Sequence, residues 1–298
     1  MTVCIAAMSE RLGAIVTVSD LLLSDDVSST VSSEPKVTAL LRGKWACLYS
    51  GNPTMFKDLV SRIQAELDQL NSVPTCPQAM MVVEHAYDAA LEHCVERQIL
   101  APLGFTRRQF LDEGLTKLGE SLFREVTAEI RAVNLGTELL VFGFDEQKQP
   151  HIFSTDFTGR CTLQDAVGFH AIGAGSWAAL GWLFTNQRFV YAARLAEIAY
   201  RLCEAKFAAE TARSVGADTA LMVMFGDGGA SAMYIHGGPS RTSASVIRDA
   251  WDARRNQAIP PTVTAEIDRT LQEASTHGPR LLSLPPSDRK QKANPEPT

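Results

Sequence analysis

MTVCIAAMSERLGAIVTVSD, residues 1–20, is the stretch on which the reading of this chain turns, taken together with Pro35-Lys36-Val37. Thr2 follows Met1 directly. A small second residue normally permits removal of the initiator methionine, so the mature chain is expected to begin with threonine. That threonine would carry a free α-amino group beside its own hydroxyl. One residue would then supply both nucleophile and base. An α-amino group has a reference pKa of about 7.7–8.0, so it is partly neutral at physiological pH, where a general base works best. Many chains begin Met-Thr without any such chemistry, and the residues after Thr2 must carry the argument.

Those residues read as a hairpin. Thr2 to Met8 and Ala14 to Val18 are β-rich runs around the turn Ser9-Glu10-Arg11-Leu12-Gly13, and Asp20 closes the second strand. Ser24 to Glu34 is rich in Ser and Asp and reads as an exposed loop. Lys36 opens a strand over Val37 to Leu41, Arg42-Gly43-Lys44 turns it, and Trp45 to Tyr49 returns. These runs alternate little, as expected of strands covered on both faces.

Helices follow. Met55, Phe56, Leu59, Val60, Ile63, Leu67 and Leu70 share one helical face, with Asn52 as N-cap and Pro53 in the first turn. Further helices are expected over 78–98 and 107–132, the latter interrupted by Gly114 and Gly119. Strands are expected at 139–144, 151–155 and 169–172, helices at 177–184 and 189–212, and a last hairpin at 221–225 and 230–235. The order strands, helices, strands, helices, strands points to an α+β fold. Two antiparallel sheets face to face, with helices outside both, make a four-layer αββα sandwich.

Composition narrows the function classes. The chain has 298 residues, 45% hydrophobic and 21% charged, with net charge −6. This is a globular composition, and its acidity argues against general nucleic-acid binding. No apolar run is long enough for a membrane span, and no signal-peptide pattern opens the chain. Cytoplasmic localisation is therefore expected. Six cysteines without CxxC spacing read as free thiols. Six histidines form no HxxxH pair, so no metal site and no cofactor are expected.

The ordered motifs resemble the proteasome-type β subunits of the N-terminal-nucleophile (Ntn) hydrolase superfamily. The resemblance rests on Thr2, Asp20, Lys36 and Ser50-Gly51 in their strand contexts, and on Val141-Phe142-Gly143-Phe144-Asp145. It continues through His151 to Gly159 and Ala171-Ile172-Gly173-Ala174-Gly175-Ser176, covering roughly Thr2 to His236. Ser214-Val215-Gly216 resembles the bacterial proteasome-like, ancestral-β-subunit-like branch. The resemblance implies Thr2 Oγ as nucleophile and its amine as base. It implies Lys36 as the charge that favours the alkoxide, Asp20 as the residue orienting Lys36, and Gly51 N–H as oxyanion donor. Ser176 is a weaker candidate. Two departures stand out: Ala174 replaces a serine, and Glu210 is the only acid near a position usually held by aspartate.

The implied activity is a threonine-type peptidase acting on peptide or unfolded protein inside a self-compartmentalising homo-oligomer, with an ATPase or regulator unspecified. An Ntn amidase on a small amide and a silent assembly subunit are the alternatives. Three parts are expected: an Ntn domain over 2–236 with a helical insertion at about 71–134, a helical appendage over 237–282, and a disordered tail over 283–298. Met55, Phe56, Trp177, Trp182 and Phe184 are expected to provide apolar subunit contacts.

Overall fold

The computed structural model describes residues 2–24, 29–31, 36–41, 43–186, 195–212, 214–226, 230–233 and 243–255. In chain order the strands and helices are β1 (Cys4–Ser9), β2 (Ala14–Asp20), β3 (Leu22–Ser24), β4 (Ser29–Val31), β5 (Val37–Leu41), β6 (Trp45–Gly51), α1 (Pro53–Leu67), α2 (Cys76–Val95) and α3 (Arg107–Ala132). After these come β7 (Thr137–Phe144), β8 (Pro150–Thr155), β9 (Cys161–Leu163), β10 (Phe169–Ile172), α4 (Ser176–Thr185), α5 (Leu195–Ala209), β11 (Thr219–Phe225), β12 (Ala230–Met233) and α6 (Ser243–Arg255).

Two five-stranded antiparallel sheets form, ordered β10-β1-β2-β11-β12 and β5-β6-β7-β8-β9. Side-chain alternation explains how they stack. On β1, Val3, Ile5 and Ala7 face a cluster with Leu183 of α4 and Ile198, Leu202 and Phe207 of α5. Cys4, Ala6 and Met8 point the other way, toward Ala46, Leu48, Leu140, Phe142 and Phe144 of the second sheet. That sheet's opposite face, with Trp45, Cys47, Val141 and Phe153, is covered by α1 and α2. Each central strand is thus apolar on both faces because each face is buried. The layers run helices, sheet, sheet, helices, as the sequence implies.

Local signals act as expected at α1, where the Asn52 side chain accepts from Thr54 N at 2.9 Å and Met55 N at 3.3 Å. Elsewhere the structure corrects the reading. Part of the expected loop after Asp20 pairs as a short β3–β4 hairpin. Its serines and threonine are compatible with strand pairing, and no apolar alternation announces it. The strand β9 was also not expected; it is three residues long, too short for a pattern. The helix α2 ends at Val95 in a wider turn over Glu96–Leu100, and α3 breaks at Gly119, whose φ of 74° lies outside the helical range. Of the expected appendage over 237–282 only 243–255 is described, and the expected tail over 283–298 lies outside the described residues.

The region between the sheet halves has a core of its own, with Val95, Ile99, Leu100, Phe105, Phe110 and Val126. A compact unit extends from residue 1 to Trp251. Within it, Trp251 of α6 is buried edge-on against Trp182 of α4, their ring centroids 4.9 Å apart. Of the five residues expected at subunit contacts, Phe56 is buried, and Met55 and Trp182 pack against internal clusters. Trp177 and Phe184 remain, 87% and 52% exposed.

One buried hydroxyl ties α2 to the second sheet. Tyr87 Oη donates to Thr137 O at 2.9 Å and lies 3.0 Å from Thr155 Oγ1. Tyr87→Phe would leave a buried carbonyl without that donor. The variant is expected to lose about 1–3 kcal/mol in a denaturant melt while keeping the same secondary structure by circular dichroism.

Candidate active site

The β1–β2 hairpin pairs Cys4 with Ser19, which sets the start of β1 against the end of β2. Asp20 N donates to Val3 O at 3.2 Å, and Val3 N donates back to Asp20 Oδ1 at 3.2 Å. Thr2 and Asp20 are neighbours for this reason, although eighteen positions apart. Lys36 arrives from the other sheet, just before its edge strand β5.

Thr2, Asp20 and Lys36 meet as one buried cluster, 3%, 0% and 4% exposed. The Thr2 hydroxyl donates to Asp20 Oδ1, and Lys36 Nζ donates to Thr2 Oγ1. Lys36 Nζ also lies 2.8 Å from Asp20 Oδ1 and 2.6 Å from Leu22 O. Asp20 Oδ2 accepts from Gly216 N at 3.0 Å. The carboxylate is therefore held by an ammonium, a hydroxyl and two backbone N–H groups. A buried charge pair is tolerable only with such extra partners. The arrangement places the Lys36 ammonium against the Thr2 hydroxyl oxygen, where it would stabilise negative charge on that oxygen.

The main chain around Thr2 is equally constrained. Gly175 N donates to Thr2 O at 3.3 Å. Gly173 has φ 91°, and a Cβ there would stand 2.4 Å from Thr2 O and 2.9 Å from Ser50 Oγ. The end of β6, the start of β1 and the exit from β10 thus converge on one point. Gly51 closes β6 in an exposed position with φ 107°, where a Cβ would strike Gly136 O at 1.9 Å. Only glycine fits that backbone.

Ser176 starts α4, and its N–H donates to Gly173 O at 2.9 Å. Among the described residues its hydroxyl makes no hydrogen bond to Thr2, Asp20 or Lys36. Ala174 is exposed. Glu210 is engaged elsewhere. It accepts from Lys206 Nζ at 2.6 Å and from both terminal nitrogens of Arg248, at 2.6 and 2.5 Å. Lys206, fully buried, also donates to Ala217 O at 2.7 Å. Burial pulls the Lys206 ammonium below its ordinary range, against the opposing pull of Glu210.

Two further side chains flank the cluster and were not expected from sequence. Glu138, opposite Ser50 on β7, accepts from Gly173 N at 3.2 Å, and its carboxyl is raised by burial despite that bond. Cys4 donates to Tyr49 O at 3.3 Å. Its thiol is pushed up to about 12, chiefly by burial, with the charge of Lys36 acting in the opposite direction. A thiol held in its protonated form is a weak nucleophile.

The comparisons with known proteins follow this geometry. Residues 116–191 match the model of the family described as Proteasome subunit. A solved structure of the Anbu (Gly-1) mutant from Hyphomicrobium sp. strain MC1 superposes with a TM-score of 0.57. It is 18% identical and is matched over 87% of this chain and 100% of that one. This chain has the fold of a proteasome-type β subunit. No curated protein sequence matches it significantly. Among the described residues, no helix is long and apolar enough to cross a membrane.

The crowding at Gly173 gives a test that removes no functional group. Gly173→Ala is expected to cost about 1–3 kcal/mol in stability from the strained φ. Its methyl would displace the Thr2 carbonyl. Labelling of Thr2 by a peptide epoxyketone, followed by mass spectrometry, should then slow on the order of a hundredfold, the cost of misplacing a reacting group by about 1 Å.

Proposed function

We propose that this chain is a threonine-type peptidase of the Ntn class, with Thr2 as nucleophile. The observation that carries the reading is that one ammonium, Lys36 Nζ, donates to both Thr2 Oγ1 and Asp20 Oδ1 in a buried cluster. Three separated segments deliver these groups, and a hydroxyl merely needing a partner would not require a charged one.

While Met1 is attached, the nitrogen of Thr2 is a peptide nitrogen and cannot act as a base. Removal of Met1 frees an amine on the same residue as the hydroxyl. The amine takes the Oγ1 proton as Oγ1 bonds to the substrate carbonyl carbon. Lys36 stays protonated and stabilises the oxygen as it loses its proton. Gly51 N–H receives the negative charge that develops on the carbonyl oxygen. The amine returns the proton to the leaving nitrogen, leaving an ester on Thr2. Water then gives a proton to the amine, attacks the ester, and restores the hydroxyl.

Peptide or unfolded protein is the proposed substrate. The exposed Trp177 and Phe184 on α4 support a homo-oligomer that encloses Thr2. The silent assembly subunit stays in view because of Ala174 and Glu210: the first offers no hydroxyl, and the second is committed to Lys206 and Arg248.

Intact mass of the protein purified from its native host should lack methionine. A mass that retains it would remove the base from the mechanism. Thr2→Ala is expected to abolish hydrolysis of fluorogenic peptides by on the order of a thousandfold or more, with unchanged circular dichroism. Equal turnover by wild type and variant would end the assignment. Light scattering should give a particle well above a dimer, whereas a stable, active monomer at micromolar concentration would overturn the enclosed compartment. Cleavage of small acyl amides but not peptides would favour the amidase.

A further inference from the structure

A second chemical cluster lies far from Thr2 and has no part in the proposed reaction. Cys76 begins α2, His151 sits on β8, and Asp165 follows β9. One donor atom from each, a thiol sulfur, an imidazole nitrogen and a carboxylate oxygen, falls within 4.8 Å of the others. His151 Nδ1 is 2.7 Å from Asp165 Oδ2. The other ring nitrogen, Nε2, is 3.4 Å from Asp145 Oδ2.

The donors are held in place. Asp165 Oδ1 accepts from Ile152 N at 2.9 Å, which leaves Oδ2 directed at the cluster. Asp145 Oδ1 accepts from Gln149 N at 2.8 Å. The imidazole stacks parallel to Trp45, with centroids 6.3 Å apart and planes 5° from parallel. A ligating histidine whose second nitrogen meets a carboxylate is the usual support for a metal site, because that partner fixes the ring and strengthens its donor. Cys76 is buried, and the His151 and Asp165 side chains are 19% and 24% exposed. The cluster is therefore closed on the protein side and open to water on the other.

We propose that Cys76, His151 and Asp165 bind one divalent transition-metal ion of the zinc class. Asp145 is the outer partner on the imidazole, and water takes the fourth position. The donor set decides the class: a thiolate and an imidazole select zinc or cobalt over magnesium or calcium, which want oxygen donors throughout. Zinc bonds of about 2.0–2.3 Å need donors somewhat closer together than 4.8 Å. Side-chain rotations would have to close the widest donor pair and open the 2.7 Å pair of His151 Nδ1 and Asp165 Oδ2 as the ion enters between them. The carboxylates of Asp145 and Asp165 provide the negative field a dication requires.

The role is structural. Along β7, Glu138 lies near the Thr2 end, while Gly143 pairs with His151. Those five residues of strand separate the two places by roughly 17 Å, at about 3.4 Å per residue. The ion would tie the start of α2 to the turns after β7 and β9, at the far end of the sheet from the nucleophile.

The donors come from a helix start, a strand and a turn far apart in the chain, so no sequence spacing marks the site. This is why histidine spacing alone gave no metal expectation.

The test uses the full chain, stripped with a chelator and titrated with Co²⁺ alone. One equivalent per chain should bind, giving visible tetrahedral d–d bands and a near-ultraviolet thiolate-to-cobalt charge-transfer band. Cys76→Ser should lose the charge-transfer band and weaken binding at least tenfold. Asp145→Asn should keep the band and bind about 10–100-fold more weakly, as outer-partner changes do. Thr2→Ala should bind like wild type. Thermal melts with and without Zn²⁺ provide a second readout, since an ion bound only to the folded state raises the melting temperature. That rise should occur in wild type and vanish in Cys76→Ser and in His151→Gln. No saturable Co²⁺ binding, a charge-transfer band that survives Cys76→Ser, or an equal Zn²⁺ effect on all variants would overturn the proposal.

Discussion

A single ammonium group, Lys36 Nζ, holds the two sheets of this protein in chemical register. It stands just before β5 of one sheet and bonds to Thr2 and Asp20 of the other. Burying that charge is costly unless every hydrogen has a partner. Thr2 Oγ1, Asp20 Oδ1 and Leu22 O provide those partners. Removing Asp20 would therefore do more than disorient a lysine, since it would leave an uncompensated charge in a closed site. The apolar surfaces packed between the sheets set how closely the layers approach. The ion pair links the start of β5 to the end of β2 across the two sheets.

Much of this was legible in sequence because it depends on local pattern. The β1–β2 hairpin has two apolar runs and a turn of the right length, so Asp20 had to return near Thr2. Lys36 opens a strand, and Asn52-Pro53 starts a helix. What was not legible depends on backbone atoms that come close only after folding. Val3 N and Gly216 N hold Asp20 without any requirement on their side chains. Glu138 stands one residue before the expected 139–144 strand, and nothing local marks it for the contact with Gly173 that β7 creates. Helical periodicity correctly put Phe56 on an apolar face, but it could not tell an inward face from a subunit contact. Trp182 was misread for a related reason: its partner Trp251 is on α6, beyond the span of any local pattern. Ser176 was carried by motif order alone, and its part in the fold is played by its backbone N–H.

The helices inserted between the sheet halves obey another logic. Their cluster around Phe105 and Phe110 is distinct from those that cover the sheets. Only the part from Val95 onward packs on this separate cluster, since α2 covers the second sheet. Its outer side carries Leu111, Leu115 and Leu122, all exposed on α3.

The Gly216-Ala217 dipeptide links the Asp20 carboxylate to a second polar clamp. One neighbouring amide, Gly216 N, bonds to Asp20, while Ala217 O accepts from Lys206 and, at 3.4 Å, from Arg248. Asp20 leaves the ribosome among the first residues, but its last ligand arrives nearly two hundred residues later. The clamp behind that ligand is finished only when α6 docks through Arg248 and Trp251. Domains fold as units once enough chain is available. A nascent or prematurely terminated chain would thus contain Thr2, Asp20 and Lys36 without the backing that holds the Asp20 carboxylate. The carboxylate of Asp20 thus gains its full set of partners only from segments made late in synthesis, Gly216 and the helix behind it.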